Sequence, residues 1–138
     1  MSALILHAPN FMPQILFSDT KQDSTIDFWY VENLWKMSKD LPIHLVKIAE
    51  LSGMDENLWF DGPNSVQPTC RAVTEHARQI QDADLSFPII LSAEGEVWDG
   101  MHRIAKATLE GIAKLPAVKF IANPKPDGTF MKGELPDF

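Results

Sequence analysis

The stretch "VWDGMHRIAKATLEGI", residues 97–112, decides how this chain is read. Val97, Trp98 and Asp99 have the β-branched and aromatic character of a short strand. Gly100 follows at once, and Ile104, Ala105, Thr108, Leu109 and Ile112 then recur at helical spacing, with Gly111 as a C-cap. A strand therefore runs through a tight glycine turn straight into a helix. The first amides of a helix lack internal partners and carry partial positive charge, so this turn is a seat for an anion, phosphate above all.

The residue types around Gly100 suit that chemistry. A glycine lets a ligand approach the backbone. Arg103 offers a planar fork that matches phosphate oxygens two at a time. His102 can donate to phosphate when charged, or move a proton near neutral pH. Asp99 cannot touch phosphate without repulsion; its roles would be to hold a magnesium ion or to fix Arg103 or His102. A ligand-free arrangement uses the same residues, with Asp99 capping the helix and Arg103 paired to a carboxylate such as Glu96. The residues alone leave these alternatives open.

Working outward, "SFPIIL" and "VWD" form a hairpin through "SAEGE", with Gly95 at the positive-φ position. Upstream, "TCRAVTEHARQIQDAD" predicts a helix over 69–84 capped by Thr69. Its apolar face holds Val73, Ala77, Ile80 and Asp84, with Ala72, His76 and Ala83 beside it. Cys70 sits in the first turn as packing material, and His76 has no second histidine or carboxylate at metal-ligand spacing. "LPIHLVKIAEL", residues 41–51, reads as a strand. The long polar connection that follows carries Trp59 and Phe60, which are expected to pin it to the core.

Near the start, "STIDFWYVENLWKMSKD" predicts a helix over 24–40, with Ser24 as N-cap and Ile26, Tyr30, Leu34 and Met37 on one stripe. Phe28, Val31 and Trp35 widen that stripe, and so much aromatic surface needs a cover. The domain's own core is the expected cover; the alternative is a second copy of the chain, in a homo-oligomer held by Phe28 and Trp35. "LPAVKFI" makes a last strand, and the Pro- and Gly-rich tail reads as irregular.

The order helix, strand, helix, hairpin, helix, strand makes this a mixed α/β chain. Its 138 residues suit one domain. An arm and helix (1–40) precede a core (41–121) and a tail (122–138). With Lys+Arg 12 against Asp+Glu 19 and a net charge of -7, the surface disfavours DNA as a partner. The single cysteine excludes internal disulfides and cysteine zinc clusters, and fits a reducing cytoplasm. No apolar run reaches membrane-span length, and Pro9 and Pro13 interrupt the opening residues where a signal peptide would need continuity.

Residues 88–120, "PIILSAEGEVWDGMHRIAKATLEGIAKLPAVKF", resemble the core hairpin and helix of the ParB/sulfiredoxin superfamily, the ParB-like nuclease domain family. The corresponding turn resembles Gly-Glu-Arg-Arg in ParB proteins, Gly-Cys-His-Arg in sulfiredoxins and Asp-Gly-His-His-Arg in archaeal free serine kinases. Asp99-Gly100-Met101-His102-Arg103 is most similar to the kinase form. The strand at 41–51 and the helix at 69–84 take the places of the superfamily's first strand and helix, so the resemblance spans roughly 41–121. It implies a nucleoside triphosphate, ATP or CTP, with Mg2+, held by Gly100, Met101, His102 and Arg103, with Asp99 on the metal. It implies phosphotransfer to a small hydroxyl acceptor, or nucleotide hydrolysis, with His102 in a catalytic role. Glu50 is the counterpart of the kinases' base, with Asp55 and Glu56 in reserve. Met101 stands where sulfiredoxins carry their reactive cysteine, which argues against sulfinic acid reduction. No helix-turn-helix follows, which argues against a chromosome-partition protein. A second reading is a non-enzymatic ParB-like module that regulates or binds a partner.

Overall fold

The computed structural model describes residues 14–61, 63 and 66–138. Among them the chain is mixed α/β, with three α-helices and two sheets. The elements run β1 (Ile15–Phe17), β2 (Thr25–Tyr30), α1 (Val31–Ser38), β3 (His44–Lys47), a 3-10 turn (Ile48–Glu50), α2 (Cys70–Asp82), β4 (Ile89–Leu91), β5 (Val97–Asp99), α3 (Met101–Leu109), β6 (Lys114–Lys119) and β7 (Gly128–Met131).

The larger sheet has the order β3-β6-β4-β5. β4 and β5 form the antiparallel hairpin expected from the sequence, with Gly95 in its loop at φ 88°. β6 returns parallel to β4 after crossing through α3, and β3 lies antiparallel at the edge. Strand alternation then divides the core. Ile89, Leu91, Leu115 and Ala117 face Ile104 and Ala107 of α3. Ile90, Val118 and Phe120 face the opposite way, onto Trp29 and Leu34. A continuous apolar run such as "PIIL" belongs to a strand covered on both sides. Trp98 joins the second cluster, 4.9 Å from Trp29, while Val97 joins the first.

The N-terminal region departs from its expected form. Residues 25–30 are strand, not helix, and α1 begins only at Val31. "TIDFWY" is β-branched and aromatic, and six residues are too few to separate a period of 2 from a period of 3.6. Ser24 does not cap a helix; it sits at φ 66° in the turn that leads into β2. There Asp23 accepts hydrogen bonds from the Thr25 amide and hydroxyl.

The tail also departs from expectation. It contributes β7, which pairs with β2 and completes the three-stranded sheet β1-β2-β7. Asp127 receives the Tyr30 amide and the Asn33 side chain, and Trp29 donates to the Pro124 carbonyl. The aromatic surface at 26–35 is thus covered from within, by this small sheet on one side and the larger sheet on the other. Phe28 packs on Tyr30, Phe130 and Phe138.

Two packing expectations shift by a residue or a turn. Thr69 caps α2 as read, its hydroxyl accepting from the Ala72 amide. The inward stripe, however, runs through Ala72, His76, Ile80 and buried Ala83, while Val73 and Ala77 are exposed. At the end of α3, Leu109 and Ile112 face outward and not into the core.

Candidate functional site

The turn after β5 is built by packing. Gly100 adopts φ 122°, and a Cβ there would lie 2.5 Å from Ile89 Cγ2. Only glycine satisfies both the backbone angle and the space. The turn is therefore pressed against β4, and among the described residues no side chain caps the first amides of α3.

Asp99 and Arg103 form a buried ion pair at 2.8 Å, their side chains 7% and 5% exposed. The same Asp99 oxygen, Oδ2, also receives Trp35 Nε1 at 2.8 Å. Arg103 Nη1 donates to the carbonyls of Phe87 and Pro88. The guanidinium thus ties the turn to the start of β4 and Asp99 ties it to α1, with the charge of Arg103 balanced and most of its donors committed. Of the alternatives left open by the sequence, Asp99 fixing Arg103 is the one seen; Glu96 is not Arg103's partner.

His102 turns the other way. Its Nε2 lies 2.8 Å from Nδ1 of His76 on α2. With ring planes 10° apart and centroids 5.1 Å apart, that short contact places the two imidazoles side by side nearly in one plane. Trp59 lies over both as a plate, 4.6 Å from His76 and 4.5 Å from His102, tilted by 12° and 5°. Phe60 closes the edge of His76. Burial pushes the His102 pKa down to about 3, aided by the neighbouring His76 and Arg103 charges. Burial also lowers His76, against the pull of Glu75. Both rings are neutral at pH 7, so one donates to the other and neither carries the charge that would attract a phosphate.

The loop between the 3-10 turn and α2 closes over this end of α3. Besides Trp59, its Gly53 backs onto Met101, whose Sδ lies 3.0 Å from where a Cβ would stand, with Leu58 alongside. Glu50 ends the 3-10 turn with an exposed side chain, between Ile48 and Leu51, which pack on the core. Asp55 and Glu56 are exposed in the loop. Cys70 is exposed at the start of α2.

His76 is the residue that sequence reasoning left without a role. Its signal was there: at helical spacing from Ala72, Ile80 and Ala83 it must face inward, toward whatever α2 packs on. That neighbour is the first turn of α3.

A magnesium ion at Asp99 does not fit this arrangement. Asp99 is buried beside the Arg103 cation, and with Oδ2 already taking two hydrogen bonds only Oδ1 is left, one ligand where a hard cation needs several oxygens. Among the described residues, no three His, Cys, Asp or Glu side chains come together as metal ligands. The first amides of α3 have no side-chain acceptor among the described residues. No helix among the described residues is long and apolar enough to cross a membrane.

No protein-family profile matches this chain, and neither a curated protein nor a solved structure matches it significantly.

Proposed function

We propose that this chain is a ParB/sulfiredoxin-like domain that binds the phosphate of a nucleotide or other phosphorylated small molecule on the first turn of α3. The observation that carries the reading is the pairing of a helix start that no side chain caps among the described residues with Gly100, whose φ of 122° and missing side chain let the turn lie close against Ile89. The order β3, α2, β4, β5, α3, β6 supports it, since it follows the superfamily order that the sequence resembles. In this reading the amides of Met101 and His102 hold the anion. Arg103 and Asp99 hold the turn, and Trp59 roofs it. The protein acts in the cytoplasm, on a nucleoside triphosphate such as ATP or CTP.

The neutral, mutually bonded histidines and the engaged Asp99 favour binding without rapid turnover, as a regulatory module. Phosphotransfer or nucleotide hydrolysis is the second reading, and exposed Glu50 beside the roofing loop is what favours it. The test is an amide-resolved titration with ATP, CTP and inorganic phosphate, with magnesium present. Selective shifts at Met101 and His102 support the reading, and unchanged amides there sink it. Loss of nucleotide with candidate hydroxyl acceptors, abolished by Glu50→Gln, would select the enzyme over the module.

A further inference from the structure

Beneath α1, at the start of β4 and the end of β6, lies a cavity of about 150 Å³ that the phosphate reading leaves unused. The cavity is open to solvent on one side, and roughly this volume is enough to take a six-membered ring. Its walls are apolar: Trp35, Ile43, Phe87 and Ile90. Two cationic side chains line it as well, Arg103 and Lys39.

Their electrostatics differ. Arg103 is 4% exposed and reaches this cavity from α3. Its three hydrogen bonds use both Nη1 donors and one on Nη2, leaving Nε and the second Nη2 donor without a partner among the described residues. Asp99 balances its charge. Lys39 follows the last residue of α1, is exposed and belongs to no ion pair among the described residues. One unbalanced positive charge, spare guanidinium donors and a largely apolar lining together select a monoanion with an apolar body.

We propose that this cavity binds a small carboxylate carrying a branched or aromatic body of about six carbons, with its carboxylate between Arg103 Nε and Lys39. The apolar body lies against Trp35, Phe87 and Ile90. Ile43, 62% exposed, forms part of the wall from outside the core. The site opens on the α1 side of the sheet, whereas the histidine pair lies on the α2 side; Arg103 alone of the first turn of α3 reaches the cavity. Nothing in it depends on the phosphate reading.

Trp35 supplies the readout, because its indole N–H is held by Asp99 in the cavity wall. The experiment titrates the intact protein with benzoate, isovalerate, acetate and benzamide while following the four tryptophan indole N–H signals, that of Trp35 assigned through Trp35→Phe. Benzoate and isovalerate should move the Trp35 signal in a saturable way and raise the unfolding midpoint. Acetate lacks the body and benzamide the charge, and each should bind roughly tenfold more weakly, the scale of one charged hydrogen bond. Lys39→Met should weaken benzoate a few-fold, as for an exposed ion pair. Ile43→Trp, at a surface position that leaves the core intact, should fill the site and abolish binding. An unmoved Trp35 signal, equal response to benzamide, or undiminished affinity in Ile43→Trp overturns the proposal. The Met101 and His102 amides are separate signals, so failure here and failure of the phosphate reading are told apart in one sample.

Discussion

His76 and His102, 26 residues apart in sequence, share one hydrogen bond of 2.8 Å in a common plane beneath Trp59. Burial disfavours charge on either ring, pushing His102 down to about 3 and lowering His76, and protonation of both would leave two donors facing each other. In the unfolded chain both titrate near 6.5. The folded pKa is depressed, so the unfolded state binds protons first as pH falls. The pair's contribution is complete above about pH 6.5 and is lost progressively between 6.5 and about 3. From His102 alone, stability at pH 5 should be about 2 kcal/mol below that at pH 7.5. Urea midpoints at the two values measure it, and His102→Gln should remove most of the difference. The carboxylates lowered by hydrogen bonds, Asp23, Asp27, Asp84 and Glu75, add losses only at more acidic pH.

The Asp99–Arg103 pair should respond to substitution as a unit. Arg103→Met leaves a buried carboxylate with Trp35 as its remaining donor, together with two unpaired carbonyls at Phe87 and Pro88. Breaking a buried pair in this way costs about 3–5 kcal/mol. Adding Asp99→Asn should recover part of that loss, since the uncompensated charge is then gone. Denaturant unfolding of the four proteins forms a double-mutant cycle. Simple additivity would show that the two side chains do not act together.

The hairpin, the glycine turn and α3 were legible because each has a local cause: a continuous apolar run, a Gly at a forced φ, and helical spacing straight after it. α2 was legible down to its Thr69 cap. What the sequence hid was decided by contacts far along the chain. Residues 25–30 are strand because β7 pairs with them across about a hundred positions, Ile26 opposite Phe130 and Phe28 opposite Gly128. Neither partner announces the other, and the apolar positions satisfied a helical period by coincidence. At the site, the turn residues were found but not their directions. Arg103 and His102 are adjacent on α3 and so point to different sides, one to Asp99 and the sheet, the other to His76 and Trp59.

Glycine at position 100 should be far less replaceable than glycine at 95, although both have positive φ. A side chain at Gly95 meets nothing within 4 Å, so Gly95→Ala carries only the backbone cost, about 1–2 kcal/mol. Gly100→Ala adds a collision with Ile89 at 2.5–2.9 Å, inside a fully buried cluster. That variant should fall several kcal/mol below wild type. Ile89→Ala in the same chain should remove the tighter contact, with Cγ2, and leave the one with Cβ at 2.9 Å while opening a cavity of its own, so the double variant should lose less than the sum of the singles. Unfolding midpoints of Gly95→Ala, Gly100→Ala, Ile89→Ala and the double variant test the ordering.

Trp59 should set the acidity of the histidine pair. Its plate excludes water from both rings, and desolvation is the leading cause of the low His102 pKa. An indole face also attracts an imidazolium and so raises a histidine pKa, an attraction of about 2 kcal/mol at a desolvated site, against the roughly 5 kcal/mol that a fall from 6.5 to about 3 represents. Desolvation wins that comparison, so Trp59→Ala should let His102 rise from about 3 toward its ordinary value near 6.5. The C2 proton signal of His102, followed from pH 8 downward, reads this directly. With the pKa raised, the acid loss of stability between pH 7.5 and 5 should shrink as well, while stability at neutral pH falls because the contacts of Trp59 are gone. A His102 titration unchanged in Trp59→Ala would assign the burial to α2 and α3 alone and leave the loop without influence on the pair.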